Sequence, residues 1–330
     1  MKKTLARWAA DVWYKDAFLG ILLLPLAYVF SDIVRVRRFL YRKGFLKSHT
    51  LPVPVIVVGN ITVGGTGKTP LVIWLAETLL ASGYKPGIIS RGYGGLSETW
   101  PQVVNKHSDA KKVGDESLLI AKQTCLPVVV GPSRVESAKR LLDGFDCNVI
   151  LSDDGLQHYK LDRDIEIAVI DGERRFGNGY CLPAGPLREP IERLGSVDFT
   201  VVNGDKYADH EVSMRLVGDT AVNILTDEPK PLQQFQGLDC HALAGIGNPE
   251  RFFKLLEMNG LSCMTHSFPD HYPFGRDDIE WGDDKPVLMT EKDAVKCTGF
   301  AKPYHWYVPV KAVPEATFGQ QFLDLLKQKT

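Results

Sequence analysis

The sequence predicts an α/β protein: a parallel sheet flanked by helices, followed by a second, smaller α/β unit. Three observations carry this. A continuous apolar run, VPVIVVGN (53–60), leads through a glycine-rich loop into an amphipathic segment. Strand-like and helix-like stretches then alternate to about residue 203, which is the rhythm of a parallel sheet with helices on both faces. After a polar stretch the rhythm restarts near residue 240.

Strands buried on both faces read as unbroken apolar runs rather than alternating ones. Besides 53–60, such runs fall at 86–90 (PGIIS), 127–130 (PVVV), 147–151 (CNVIL), 165–170 (IEIAVI) and 198–202 (VDFTVV). A helix is expected from Pro70 to Ser82. Pro70 suits a first turn, Leu71, Leu75 and Leu79 share one face, and Gly83 stops it. Further helices read at 115–124 and 133–143. The stretch 204–235, ending in the polar, proline-bearing DEPKPLQQFQG, is expected to be a linker. Beyond it, CHALAGIG reads as strand and turn, Asn248-Pro249-Glu250 as a helix start and RFFKLLEMNG as the helix. Strands at 263–268, 286–290 and 305–310 and a last helix near 315–328 complete the unit. The expected division is an N-terminal segment over 1–50, a core over 51–228 and a smaller unit over 229–330.

The 330 residues are 44% hydrophobic and 24% charged, with a net charge of −1, which argues against wholesale nucleic-acid binding. That sum hides an asymmetry. Residues 1–50 carry ten Lys/Arg against Asp11, Asp16 and Asp32, a charge of +7, leaving −8 on the rest. Six cysteines without a C-x-x-C pair point to reduced core thiols rather than a disulfide scaffold or zinc site.

The N-terminal segment explains the asymmetry. Leu5, Trp8, Ala9, Val12 and Trp13 share one helix face. Residues 17–30 are then continuously apolar, too short to span a bilayer, which needs about 20 residues. The basic RVRRFLYRKGFLK follows, with Phe39, Leu40, Tyr41, Phe45 and Leu46 between its charges. An apolar wedge with a cationic flank is the composition of an interfacial anchor on anionic lipid. A buried hydrophobic helix with a solvated basic face is the alternative.

GGTGKT (64–69) follows a strand and precedes a helix, the context of a phosphate-binding P-loop. The backbone N–H groups of Gly64, Gly65, Thr66 and Gly67 would face phosphate oxygens, helped by the helix dipole. Lys68 would reach the β- and γ-phosphates and Thr69 would ligate Mg²⁺. The strict motif wants glycine at position 62, where this chain has Thr62. The core is therefore expected to be P-loop NTPase-like. SDDGLQH (152–158) ends a strand in paired carboxylates at the edge where ligands bind, so Asp153 or Asp154 would hold Mg²⁺. In TEKDAVK, Lys292 directly abuts Asp293, which is the wrong order for guanine recognition, and ATP is expected.

GPLREP (185–190) places Arg188 and Glu189 in a loop stiffened by two prolines, suited to clamping phosphate, although Arg–Glu pairing is the bland reading. Arg134 of GPSR lies just past a strand end on the same edge. Asp115 and Glu116 of VGDE follow a glycine turn as loop carboxylates or helix caps. FPDHY (268–272) brings His271 beside Asp270 from the second unit.

Taken in order, VGNITVGGTGKTP, SRGYGG, VGDE, GPSR, SDDGLQH, GPLREP, FPDHY and TEKD resemble the tetraacyldisaccharide 4′-kinase family, the lipid A 4′-kinases of Gram-negative bacteria. The resemblance runs over about residues 15–295, and Thr62 matches the family's own form of the loop. It implies transfer of the γ-phosphate of ATP to the 4′-hydroxyl of a tetraacylated glucosamine disaccharide 1-phosphate, giving lipid IVA. The implied location is the cytoplasmic face of the inner membrane, with no obligatory protein partner expected. By the same resemblance, Lys68 and Thr69 serve nucleotide and Mg²⁺, and Asp115 is the base with His271 as its partner. Arg134 and Arg188 stabilise phosphate, and Asp153, Asp154 and Glu189 surround the metal. Gln157, His158, Arg91 and Lys292 lie in matching motifs without assigned roles. The rival readings are a membrane-associated ATPase switch, which would favour lysine where this chain has Val63, and a nucleotide-binding module without chemistry.

Overall fold

The computed structural model describes residues 12–14 and 19–330. Leu5, Trp8, Ala9 and residues 17–18 of the N-terminal pattern lie outside them. The described residues begin with a short helical turn at Leu19–Leu22 and then helix α1 (Leu24–Arg42). Pro25 occupies the first turn of α1, where its missing N–H costs nothing. Only Ala27 and Ser31 of this helix are buried. Leu26, Tyr28, Val29, Ile33, Val36 and Phe39 are exposed, each by more than half of its surface. Among the described residues, no helix is long and apolar enough to cross a membrane.

Two mixed, mostly parallel sheets follow. The first holds β1 (Val55–Gly59), β2 (Pro86–Ser90), β3 (Gln102–Val104), β4 (Val128–Val130), β5 (Val149–Asp153), β6 (Ile165–Asp171), β7 (Phe199–Asn203) and β8 (Glu211–Val217). A strand from the chain's end, β15 (Lys311–Pro314), completes the order β15-β8-β7-β6-β1-β5-β2-β4-β3. Only the edge pairs β15–β8 and β3–β4 are antiparallel. Helices α2 (Lys68–Ala81), α3 (Asp115–Thr124) and α4 (Arg134–Gly144) cover it. The central strands β1, β2, β4 and β5 are buried at every position, as their unbroken apolar runs require.

The second sheet runs β10-β9-β14-β13-β11-β12. Its strands are β9 (Thr220–Asn223), β10 (Pro229–Pro231), β11 (Cys240–Ala244), β12 (Cys263–Ser267), β13 (Val287–Thr290) and β14 (His305–Val308). Helices α5 (Pro249–Met258) and α6 (Glu291–Cys297) pack on it.

The expected linker and the expected division at residue 228 both need correction. Residues 211–217 form β8 of the first sheet, while 220–223 and 229–231 are antiparallel strands of the second. The polar composition there reflects edge pairing, in which one face of a short strand stays wet. The chain also returns: β15 pairs with β8, and α7 (Phe318–Lys329) buries Phe318, Phe322 and Leu326 in the core of the first sheet. Phe318 stacks on Trp74 of α2 at 5.5 Å. Two segments therefore join the sheets, between β8 and β9 and between β14 and β15.

If α7 completes the first core, Phe322→Ala should lower the unfolding free energy by about 3–5 kcal/mol. Urea denaturation checks this, and a loss below about 1 kcal/mol would contradict the packing.

Candidate active site

Parallel pairing builds the site. Strands β1 and β5 lie side by side with Val58 opposite Asp153, so the loop after one strand meets the acidic turn after the other. The loop itself is held from three directions. Val63 N–H donates to the Pro186 carbonyl at 2.8 Å and Arg188 N–H donates to the Ile61 carbonyl at 2.7 Å. Thr62 bridges to Leu187 in extended backbone, which explains why glycine is not needed at that position. Asn203 of β7 donates its amide to the Thr66 carbonyl. Gly67, at φ +95, leaves no room for a side chain: a Cβ would lie 2.6 Å from that same amide nitrogen.

Lys68 opens α2, and its Nζ lies 3.4 Å from Asp154. Arg188 reaches the same carboxylate at 3.1 Å. Burial alone would raise the Asp154 pKa, but these two cations hold it well below the ordinary range. Asp154 takes a left-handed backbone, φ +49, that turns the chain at the end of β5. Asp153 is fully buried and accepts from Ser90 at 3.2 Å. Burial, with Glu116 and Asp154 nearby, pushes its pKa up.

Two of these buried atoms, Thr66 Oγ1 and Asp153 Oδ1, have no protein partner. Polar atoms buried this deeply ask for a ligand. Thr69, Asp153 and Asp154 offer oxygen donors suited to Mg²⁺, which needs one or two carboxylates and completes its shell with water and phosphate. Accordingly, no group of three or more His, Cys, Asp or Glu able to hold a metal occurs among the described residues.

A second cluster crosses from one sheet to the other. Asp115 begins α3 after Gly114, whose φ is +89 and whose added Cβ would meet the Tyr93 carbonyl at 2.6 Å. His271 Nδ1 lies 3.1 Å from both Asp115 oxygens. Lys292 Nζ contacts Glu116 at 2.8 Å and Asp270 at 3.0 Å. Lys296, one turn later, lies 3.7 Å from Asp115 and 2.7 Å from Asp293. Burial would raise the Asp115 pKa, but the His271 hydrogen bond and the two lysine charges bring it down to about 2. Burial likewise opposes a charge on His271, and the Asp115 contact overcomes it to raise that pKa. The Tyr93 ring lies over His271 at 4.7 Å between centroids.

The structure thus brings together Lys68, Asp153, Asp154 and Arg188 in one cluster and Asp115 with His271 in the neighbouring one, linked through Glu116. Arg134 is buried, and its guanidinium donates to the carbonyls of Gly131, Asp153 and Asp154, which braces the acidic turn, while its Nε has no protein partner. Glu189 is also buried. Its carboxylate accepts from Gln157 at 2.7 Å and from Tyr159, and it faces Arg193 at 3.4 Å. Sequence reading gave Lys292 no role and passed over Lys296 and Asn203. The signal for the lysine pair was present: spacing of four on a helix puts both on one face.

A family model described as "Tetraacyldisaccharide-1-P 4'-kinase" matches residues 19–327. The chain belongs to the tetraacyldisaccharide 4′-kinase family. The activity that comes with membership is phosphorylation of a tetraacyldisaccharide 1-phosphate in lipid A biosynthesis. The kinase is 52% identical to the tetraacyldisaccharide 4′-kinase of Nitrosococcus oceani over 96% of its own length and 93% of that relative. It is 47% identical to that of Actinobacillus succinogenes over 97% and 98%. Among solved structures it resembles LpxK from Aquifex aeolicus, determined in complex with ATP. The TM-score is 0.80 at 30% identity, covering 94% of this chain and 99% of that one.

One prediction concerns the scaffold beneath the site. Burial and the nearby Arg134 and Arg91 charges lower the His158 pKa to about 4 from 6.5. The unfolded chain therefore binds the proton more readily between these values, and stability falls as pH drops from 6.5 towards 4. A His158→Asn variant should lose that part of the pH dependence, measured as melting temperature against pH.

Proposed function

We propose that Asp115 accepts the proton of the acceptor's 4′-hydroxyl while Lys68 and Arg188 stabilise the transferring phosphoryl group of ATP. The γ-phosphorus–oxygen bond to the leaving ADP breaks as the bond to the 4′-oxygen forms, and the hydroxyl proton passes to Asp115. The observation that carries this reading is the Asp115–His271 contact, made across the two sheets beside the Lys68–Asp154–Arg188 cluster. A carboxylate with a depressed pKa suits phosphoryl transfer. The transition state is loose, so the base chiefly orients the hydroxyl and takes its proton late. Thr69, Asp153 and Asp154 would hold Mg²⁺, which supplies charge neutralisation at the phosphates when bound. Arg134 acts beneath them by fixing the backbone of the acidic turn.

The second sheet serves as a cover. Its turn at Gly247 presses on the phosphate loop so closely that a Cβ there would lie 2.3 Å from the Gly65 nitrogen. Arg174 donates to the Gly247 carbonyl at 2.6 Å, and Arg251 pairs with Asp171 at 2.8 Å. Nucleotide entry would open this contact, and closure would exclude water from the reaction.

The acceptor's acyl chains stay in a bilayer, so the kinase must work at its surface, on the cytoplasmic face of the inner membrane where ATP is available. What supports this is α1, whose exposed apolar stripe continues into Phe45 and Leu46 beside Arg35, Arg37, Arg42 and Lys43. A cavity of about 410 Å³ opens between this helix and residues 189–193, lined by Arg35, Arg38, Phe39 and Arg42.

Asp115→Asn should cut kcat by about 100-fold, with ATP affinity unchanged. Radiolabelled ATP with a tetraacyldisaccharide 1-phosphate reads the transfer, and near-normal turnover would remove Asp115 from the chemistry. For the membrane, Arg37→Ala with Arg42→Ala should weaken binding to vesicles containing anionic lipid on the order of tenfold or more. Co-sedimentation at low and high salt checks it, and equal binding to neutral vesicles would contradict the basic flank's role.

A further inference from the structure

Lys292 stands where the chemistry of an imidazole can be decided. His271 has two ring nitrogens, and the hydrogen bond made by one fixes what the other carries. Its Nδ1 faces the Asp115 carboxylate at 3.1 Å, and its Nε2 faces Lys292 Nζ at 3.4 Å. Asp270 lies further away, at 3.7 Å from Nε2. An ammonium has three donors and no acceptor. Lys292 is held as an ammonium by Glu116 and Asp270, each within 3.0 Å.

We infer that Lys292 is a positioning residue that keeps Nε2 of His271 free of a proton. The Asp115 carboxylate, an acceptor at 3.1 Å, holds the ring proton on Nδ1, and the Lys292 ammonium donates to Nε2 from the other side. Two consequences follow. Nε2 is occupied and cannot itself meet the sugar hydroxyl, which leaves Asp115 as the only member of the pair able to take the proton. Asp115 is also gripped on one side by an N–H donor and on the other by the Lys296 charge at 3.7 Å, which limits the directions in which its free lone pairs can point. Lys292 and His271 belong to the second unit and Glu116 and Asp115 to the first, so Nδ1 finds its carboxylate acceptor only when the two sheets are together. The kinetic part of this inference rests on Asp115 as base; the ring assignment does not.

The test is a two-bond ¹H–¹⁵N spectrum of histidine-labelled protein, with His271 assigned by its loss in His271→Gln. At about pH 8, where an imidazole is ordinarily neutral, the wild-type ring is expected as the Nδ1–H form with Nε2 unprotonated. In Lys292→Met the donor and its charge are gone while Asp115 still holds Nδ1–H, so the ring is expected to carry a second proton on Nε2, with kcat down about tenfold and KM for ATP unchanged. Lys292→Arg keeps a donor and should restore the Nδ1–H form and most of the turnover. A wild-type ring protonated on Nε2, or on both nitrogens, would overturn the inference, as would an unchanged ring in Lys292→Met. Should Lys292→Met fail to fold, the wild-type spectrum still decides. Asp115→Asn with full turnover beside an Nδ1–H ring in the wild type would remove the base reading and leave the tautomer assignment standing.

Discussion

The register of two neighbouring strands governs the site. Parallel pairing sets Val58 of β1 against Asp153 of β5, so both chains leave the sheet at the same edge and level. In an open parallel sheet every strand delivers its carboxyl end to one side, where ligands bind. Lys68 and Asp154 meet at 3.4 Å because of that register, though 86 positions separate them in the chain. Shifting either strand by one residue would exchange its two side-chain faces and carry the carboxylates away from the loop.

Around this edge the protein spends buried polar groups on rigidity. Arg134 uses its guanidinium to tie three carbonyls together, and Glu189 collects Gln157, Tyr159 and Arg193 beneath the loop that presents Arg188. Such groups are costly to bury unless fully paired. Here their pairing holds the two turns that carry Asp154 and Arg188. Asp153, Thr66 and Arg134 each retain a buried polar atom without a protein partner.

The second sheet adds chemistry that the first lacks. It contributes His271, Lys292 and Lys296, all converging on Asp115 and Glu116 at the start of α3. Opposite charges drawn from two units favour the contact between them. The apolar face of α1 lies outside this arrangement and remains exposed, consistent with a chain whose acceptor is a lipid.

Local chemistry made much of this legible in the sequence alone. The buried strands announced themselves as unbroken apolar runs because burial on both faces leaves no alternation. The loop was readable because its tight turns demand glycine, as Gly67 shows at φ +95 against Asn203. Asp115 and His271 could be paired beforehand only through the likeness of their motifs to a known family. What the tertiary structure decided is which charges face the site and which face the protein. Packing gave Arg134 and Glu189 buried protein partners that no local pattern announced. The return of β15 and α7 to the first sheet was equally hidden, since an edge pairing between residues about 100 apart leaves no local pattern. Sequence determines what a segment can bury and bind; only packing determines which partner each charge finds, because that is settled by contacts between residues distant in the chain.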